Sequence, residues 1–135
     1  MENINKLIAQ LIAICNYAKD IHYNAKGDAF YSKHLLADRI QDNISEYIDQ
    51  IKEICFLGND VETLPSAEYL LKATSYIPAI QEDDKANFKS LEMLIVSTLA
   101  TIEGLEGTKG EENLYGNIAQ DLQNSLGLIN RQIKE

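Results

Sequence analysis

The chain contains no tryptophan, only three phenylalanines, and just two each of cysteine, proline and histidine among 135 residues. Two thiols, Cys15 and Cys55, are too few for a disulfide framework or a four-thiolate metal cluster. Both fall on apolar stripes, so buried, unpaired thiols are the expectation. The two prolines, Pro65 and Pro78, bracket the middle of the chain and leave long uninterrupted segments on either side. No apolar run is long enough to cross a bilayer, and no basic start leads into an apolar stretch and cleavage site. The opening MENINKLIAQL already reads as an amphipathic helix, so a cytoplasmic protein without a membrane anchor is expected. Positive charge is also scarce: 12 basic residues face 21 acidic ones, for a net charge of −9. That balance opposes binding to DNA or to an anionic membrane and suits a protein that collects cations. There is no repeat, and the length is that of one domain, residues 1–135.

What is present is helical periodicity. Ile4, Leu7, Ile8, Leu11, Ile14, Ala18 and Ile21 recur at spacings of three and four, the mark of one buried helix face. After the turn NAKGDA, a second helix is expected from about Tyr31 through Leu36, Ile40, Ile44, Tyr47, Ile51 and Ile54, ending at Gly58. The stretch from Asn59 to Asp84 is too long for a bare connection, and SAEYLLKAT within it predicts a short helix. A third long helix carries Phe88, Leu91, Leu94, Ile95, Leu99 and Ile102. A fourth carries Leu114, Ile118, Leu122, Leu126, Ile129 and Ile133. No alternating segment competes as a strand. Short first and last connections with a long middle one predict an all-α, ferritin-like four-helix bundle. Its second and third helices run parallel, joined by a crossover that holds the short helix.

Five side chains on the first two helices have metal-ligating chemistry: His22, His34, Asp38, Asp49 and Glu53. His34 and Asp38 are four apart on one helix face, as are Asp49 and Glu53. In an antiparallel hairpin the turn brings His22 and His34 to the same height. Fifteen residues of helix separate His34 from Asp49, roughly 22 Å at 1.5 Å per residue, whereas metal–ligand bonds are about 2 Å. The acid pair therefore cannot share an ion with the histidines of its own chain. Either each cluster works alone, or a twofold axis packs one chain's carboxylates against another's histidines. Neither histidine has a glutamate three residues before it, so the Glu-x-x-His di-iron site of many ferritin-like bundles is absent. Taken singly, each residue has a plain explanation as a solvated or structural side chain; it is the set of five, at these spacings, that points to metal.

The segment HYNAKGDAFYSKHLLADRIQDNISEYIDQIKEICFLG resembles the signature of the miniferritins, the DNA-binding proteins from starved cells, or Dps family. That signature has His, an aromatic and Asn before a glycine turn, then His with Asp four residues on, then Asp-x-x-x-Glu ahead of Leu-Gly. The closing EENLYGNIAQDLQNSLGLINRQIKE is similar to the family's last helix, so the resemblance runs over nearly the whole chain. It implies a dodecameric cage with iron sites shared across twofold interfaces. It also implies a ferroxidase that oxidises Fe(II) with hydrogen peroxide, or dioxygen, and stores ferric mineral inside, serving iron detoxification under oxidative stress. By that resemblance His22, Asp49 and Glu53 are the main, catalytic iron ligands. His34 and Asp38 hold a second iron of a di-iron site, directly or through water, with zinc a possible substitute.

Where many members carry tryptophan after the first histidine, this chain has Tyr23, a possible near-site aromatic. The lysine-rich N-terminal tail of the family's DNA-binding members is missing, with Lys6 the sole basic residue before Lys19, so DNA binding is not expected. Glu111 and Glu112 open the last helix and, by the same resemblance, would line the acidic threefold pores that admit iron in the family. Carboxylates also favour a helix N-terminus without any ligand, and that plainer role is the expectation. The alternative to a storage cage is a non-catalytic helical-bundle interaction protein, or a relative that binds metal only structurally.

Overall fold

A computed structural model describes residues 1–134, and every regular element among them is helical. In chain order these are α1 (Glu2–Asn24), α2 (Phe30–Asp42), α3 (Ile44–Ile51), a π-helical turn (Lys52–Phe56), a 3₁₀ turn (Leu57–Asn59), α4 (Ser66–Thr74), α5 (Asp84–Glu103) and α6 (Lys109–Ile133). α1 is the central element. Its stripe from Ile4 to Ile21 is buried throughout, and it packs against α2, α4 and α5. Each fully buried Leu or Ile contributes about 1.5–3 kcal/mol relative to exposure, which is why this face, rather than helix propensity, holds α1 in place.

Contacts between helices fix their directions. His22 meets His34 and Cys15 meets Gln41, so α1 and α2 are antiparallel. Gln10 meets Ser97 and Tyr17 meets Asn87, so α1 and α5 are antiparallel too. Tyr47 meets Asp121 and Cys55 meets Tyr115, which sets the arm after Asn43 antiparallel to α6. The second and third long arms therefore run the same way, and residues 60–83 cross over between them. The crossover carries α4 over the residues SAEYLLKAT. Tyr69 is buried on its inner face, donating to Asn5 Oδ1 at 2.7 Å and accepting from the Leu64 N–H at 3.2 Å.

The second arm departs from the expected single helix. It breaks at Asn43 (φ −94°, ψ −2°), which ends α2 and begins α3. Asn is at ease in that region because its short polar side chain competes with regular helix bonding. Further on, the chain widens into the π turn. Cys55 is buried, as expected, and the extra residue this turn accommodates shifts the inward face so that Phe56 is buried while Ile54, expected in the core, is 41% exposed. Cys15, expected to be buried, is half-buried beside Gln41, whose side-chain oxygen lies 3.9 Å from its sulfur.

The first hairpin turn is fastened to the start of α5. Asp84 Oδ2 accepts from the Lys26 N–H at 3.1 Å and from Lys33 Nζ at 3.0 Å, the latter a largely buried ion pair. Within the turn, Gly27 (φ +74°) and Ala29 (φ +58°) both occupy the left-handed region.

Candidate metal centre

His22 lies in the last turn of α1 and His34 in α2, and the hairpin stacks their rings with centroids 3.6 Å apart and planes 17° from parallel. Each imidazole bonds to the backbone of the other. His22 Nδ1 lies 2.9 Å from the His34 carbonyl oxygen, and His34 Nδ1 lies 2.8 Å from the His22 carbonyl oxygen. A carbonyl oxygen only accepts, so both Nδ1 atoms carry the proton. In the neutral form each ring then keeps its lone pair on Nε2, the form in which imidazole ligates a metal. Such a bond also orients a metal-binding histidine before any ion arrives.

Aromatic side chains surround this pair on the outside. Tyr23, 76% exposed, meets the His22 ring edge-on at 5.0 Å. Phe30 and Tyr31 lie 5.3 Å and 6.5 Å from the His34 ring, and both are exposed.

Asp38, one helical turn past His34, is exposed and accepts a hydrogen bond from Gln41 Nε2 at 3.0 Å. Asp49 lies in α3 and Glu53 in the π turn; both are exposed, and neither makes a side-chain hydrogen bond or ion pair with any described residue. Among the described residues no three His, Cys, Asp or Glu side chains converge into a metal-sized group. One chain thus brings its two imidazoles together and keeps the acid pair elsewhere along the second arm. Glu53 borders a surface groove of ≈590 Å³ shared with Leu57, Asp60, Val61 and Glu62. Leu57 is 77% exposed there, an apolar side chain left uncovered beside three carboxylates.

Glu111 and Glu112 part company. Glu111 is buried and closes a capping box: its Oε1 accepts from the Thr108 N–H at 2.9 Å while Thr108 Oγ1 accepts from the Glu111 N–H at 3.2 Å. The Thr108 backbone bond does most to hold its carboxyl below the usual carboxylate range. Burial opposes this, and bonds from the Thr108 side chain, Asn59 and Cys55 reinforce it. Glu112 is exposed.

Three features escaped the sequence reading. The π turn under Glu53 has no residue-type signature. The reciprocal ring-to-carbonyl bonds involve backbone atoms, which carry no sequence signal. The buried contact between Cys55 and Tyr115 links residues sixty apart, though both sit on their helices' apolar faces. No family model matches the chain, and no curated protein matches it.

Proposed function

We propose that this protein is a miniferritin-like ferroxidase and iron store, a ferritin-like bundle whose metal sites are completed between copies of the chain. The observation that carries the reading is the separation of the stacked His22–His34 pair, at the first hairpin, from the exposed Asp49 and Glu53 farther along the second arm. Imidazoles anchored through Nδ1, with Nε2 left for a metal, stand in one place, and exposed carboxylates in the other. Each half is bordered by uncovered apolar groups: Tyr23, Phe30 and Tyr31 around the histidines, Leu57 and Val61 beside Glu53. An isologous twofold pairing of second arms, running antiparallel, seats each histidine end against the other chain's acid end and covers both apolar rims at once. The parallel second and third arms and the helix-bearing crossover are further support, since ferritin-like bundles with one long connection share them.

In such a pair His22 of one copy, with Asp49 and Glu53 of the other, binds ferrous iron as substrate, and His34 and Asp38 hold a second ion. Imidazole and carboxylate suit iron, and the added negative charge stabilises the ferric product. Two ferrous ions each give one electron to hydrogen peroxide, which takes up two protons and leaves as two waters. Excess negative charge over the chain draws cations in. Solvent-facing Glu112 is the better placed of the two helix-opening carboxylates to line an entry pore, and the full assembly is a dodecameric cage holding ferric mineral.

The test is the double variant Asp49→Asn, Glu53→Gln. Rapid ferrous oxidation, followed by stopped-flow absorbance after adding peroxide, should disappear while the light-scattering mass stays that of a multi-chain shell. Unchanged initial rates would remove the site assignment. A wild-type mass of one chain would favour the helical interaction protein instead.

A further inference from the structure

The histidine pair depends on how the turn between its two members is held, and a carboxylate at the start of α5 holds it from outside the hairpin. Asp84 is buried, and its Oδ2 accepts from both the Lys26 N–H at 3.1 Å and Lys33 Nζ at 3.0 Å. Lys33 Nζ also donates to the Lys26 carbonyl oxygen at 3.2 Å. The N–H and C=O of Lys26 thus close a ring with one ammonium and one carboxylate oxygen. That ring joins the residue one helical turn past His22 to the residue just before His34. Lys26 Nζ also pairs with Glu82 at 2.6 Å, but both side chains are exposed, and such pairs contribute little. The Lys33–Asp84 pair is different: its side chains keep only 19% and 9% exposure, so solvent does not screen it. The turn has little else to set its shape. Gly27 and Ala29 are both left-handed, which disfavours an alanine, and Ala29 opens α2 without a side-chain cap bond. Yet the imidazoles demand a close match between the two arms. Each ring must reach the other residue's carbonyl, at 2.9 Å and 2.8 Å, while the rings stack at 3.6 Å. A small slip of one arm against the other weakens both bonds at once.

We propose that Asp84 is a positioning residue for metal at the histidine pair: acting through Lys33 and the Lys26 main chain, it holds the two rings stacked, with Nδ1 bonded to the backbone and Nε2 presented to an ion. This rests on the ferroxidase reading above. Asp84 acts through the turn and is not itself a ligand. Ligands fixed in place before the ion arrives bind it more tightly, because their ordering is already complete in the folded chain. A carboxylate suits the task because one oxygen serves both arms, taking a main-chain N–H from one and an ammonium from the other. An amide in its place keeps an acceptor for the N–H but loses the charge that draws in Lys33. Releasing Lys33 frees the opening of α2, which carries His34, and the reciprocal ring-to-carbonyl bonds then lose their register. Part of the affinity for metal therefore resides in α5, outside the two arms that supply the ligands.

The experiment compares the full chain as wild type, Asp84→Asn and Lys33→Met with a remote control, Tyr69→Phe, which cuts the buried link from α4 to Asn5 instead. Nitrogen-15 NMR of the metal-free proteins, at a pH where imidazole is neutral, reads which ring nitrogen carries the proton. Stopped-flow absorbance with peroxide gives the ferrous concentration at half-maximal oxidation rate. Wild type should show both histidines protonated at Nδ1 alone. In Asp84→Asn and Lys33→Met the rings should pass to a mixture of tautomers. The half-saturating ferrous concentration should rise about tenfold, with the maximal rate kept, while Tyr69→Phe matches wild type in both readouts. Mixed tautomers in the wild type, an Nδ1-only pattern that survives in the two variants, or an unchanged half-saturating concentration overturns the positioning role. An equal loss in Tyr69→Phe also overturns it, because it marks a general loosening of the bundle. Should Asp84→Asn not fold, Lys33→Met decides alone. A wild type that oxidises no iron rapidly overturns the ferroxidase instead, and the positioning role is then judged by NMR together with zinc binding in calorimetry. Mixed tautomers with weakened zinc binding in the variants support it; zinc binding that is absent from the wild type or unchanged in the variants overturns it.

Discussion

Glu111 shows how one side chain takes a role its sequence context only half reveals. Thr108 with Glu111 three residues later is a capping-box pattern that spacing alone makes visible, and the structure has both bonds. Its further bond to Asn59 lies across the bundle and could not be foreseen from neighbours in sequence. Because its folded pKa is depressed, the ionised form adds stability that is fully present above the ordinary carboxylate value of about 4.3. That stability fades as pH falls through the lower, folded value. Glu111→Gln keeps an acceptor but loses the charge at the helix start, so it should cost about 1 kcal/mol at neutral pH. The two proteins' urea-unfolding curves should converge in acid. A difference that persists undiminished well below pH 4 would mean the loss is one of shape, not charge. His22 and His34 illustrate the opposite limit. Their meeting across the turn followed from counting residues, but the bonds that fix their protons go to backbone carbonyls and leave no trace in residue type.

Among the elements, the first hairpin is the one whose conformation stores the most visible strain. Its glycine was expected in the turn, and Gly27 does adopt φ +74°, yet Ala29 at φ +58° is left-handed as well. A β-carbon there costs about 1 kcal/mol or more, and Ala29 stands at the N-cap of α2 without a capping side-chain bond. Ala29→Gly should therefore raise stability by about 0.5–1 kcal/mol. In a thermal melt that is roughly 2–5 °C in Tm. A lower Tm would show that the alanine methyl contributes packing that outweighs the strain. The second arm marks where periodicity stops being informative. Ile40, Ile44, Ile51 and Cys55 lie inward as their spacing demands, but the widened turn moves Phe56 into the core and turns Ile54 out. Hydrophobic spacing fits both an α and a π course over so few residues, and only packing against Tyr115 and its neighbours decides between them. Turns of this kind are frequent at functional sites, and this one carries Glu53.

At the scale of the molecule, the bundle's order was legible because connection lengths constrain direction: two short links and one long crossover leave few arrangements of four long arms. The short helix at Ser66–Thr74 was likewise marked by the prolines around it. On the proposed function, a second copy is what no single chain's sequence or structure supplies. The histidine pair and the acid pair lie on separate parts of one chain, with exposed aromatic side chains around the histidines and Leu57 and Val61 beside Glu53. The account requires a partner to join them. The most direct test is a crystal of the protein soaked in ferrous iron, with iron located by anomalous scattering. The account predicts iron bonded to His22 of one chain and to Asp49 and Glu53 of its twofold mate. Iron held within a single chain, or the acid pair facing open solvent in every copy, would contradict it.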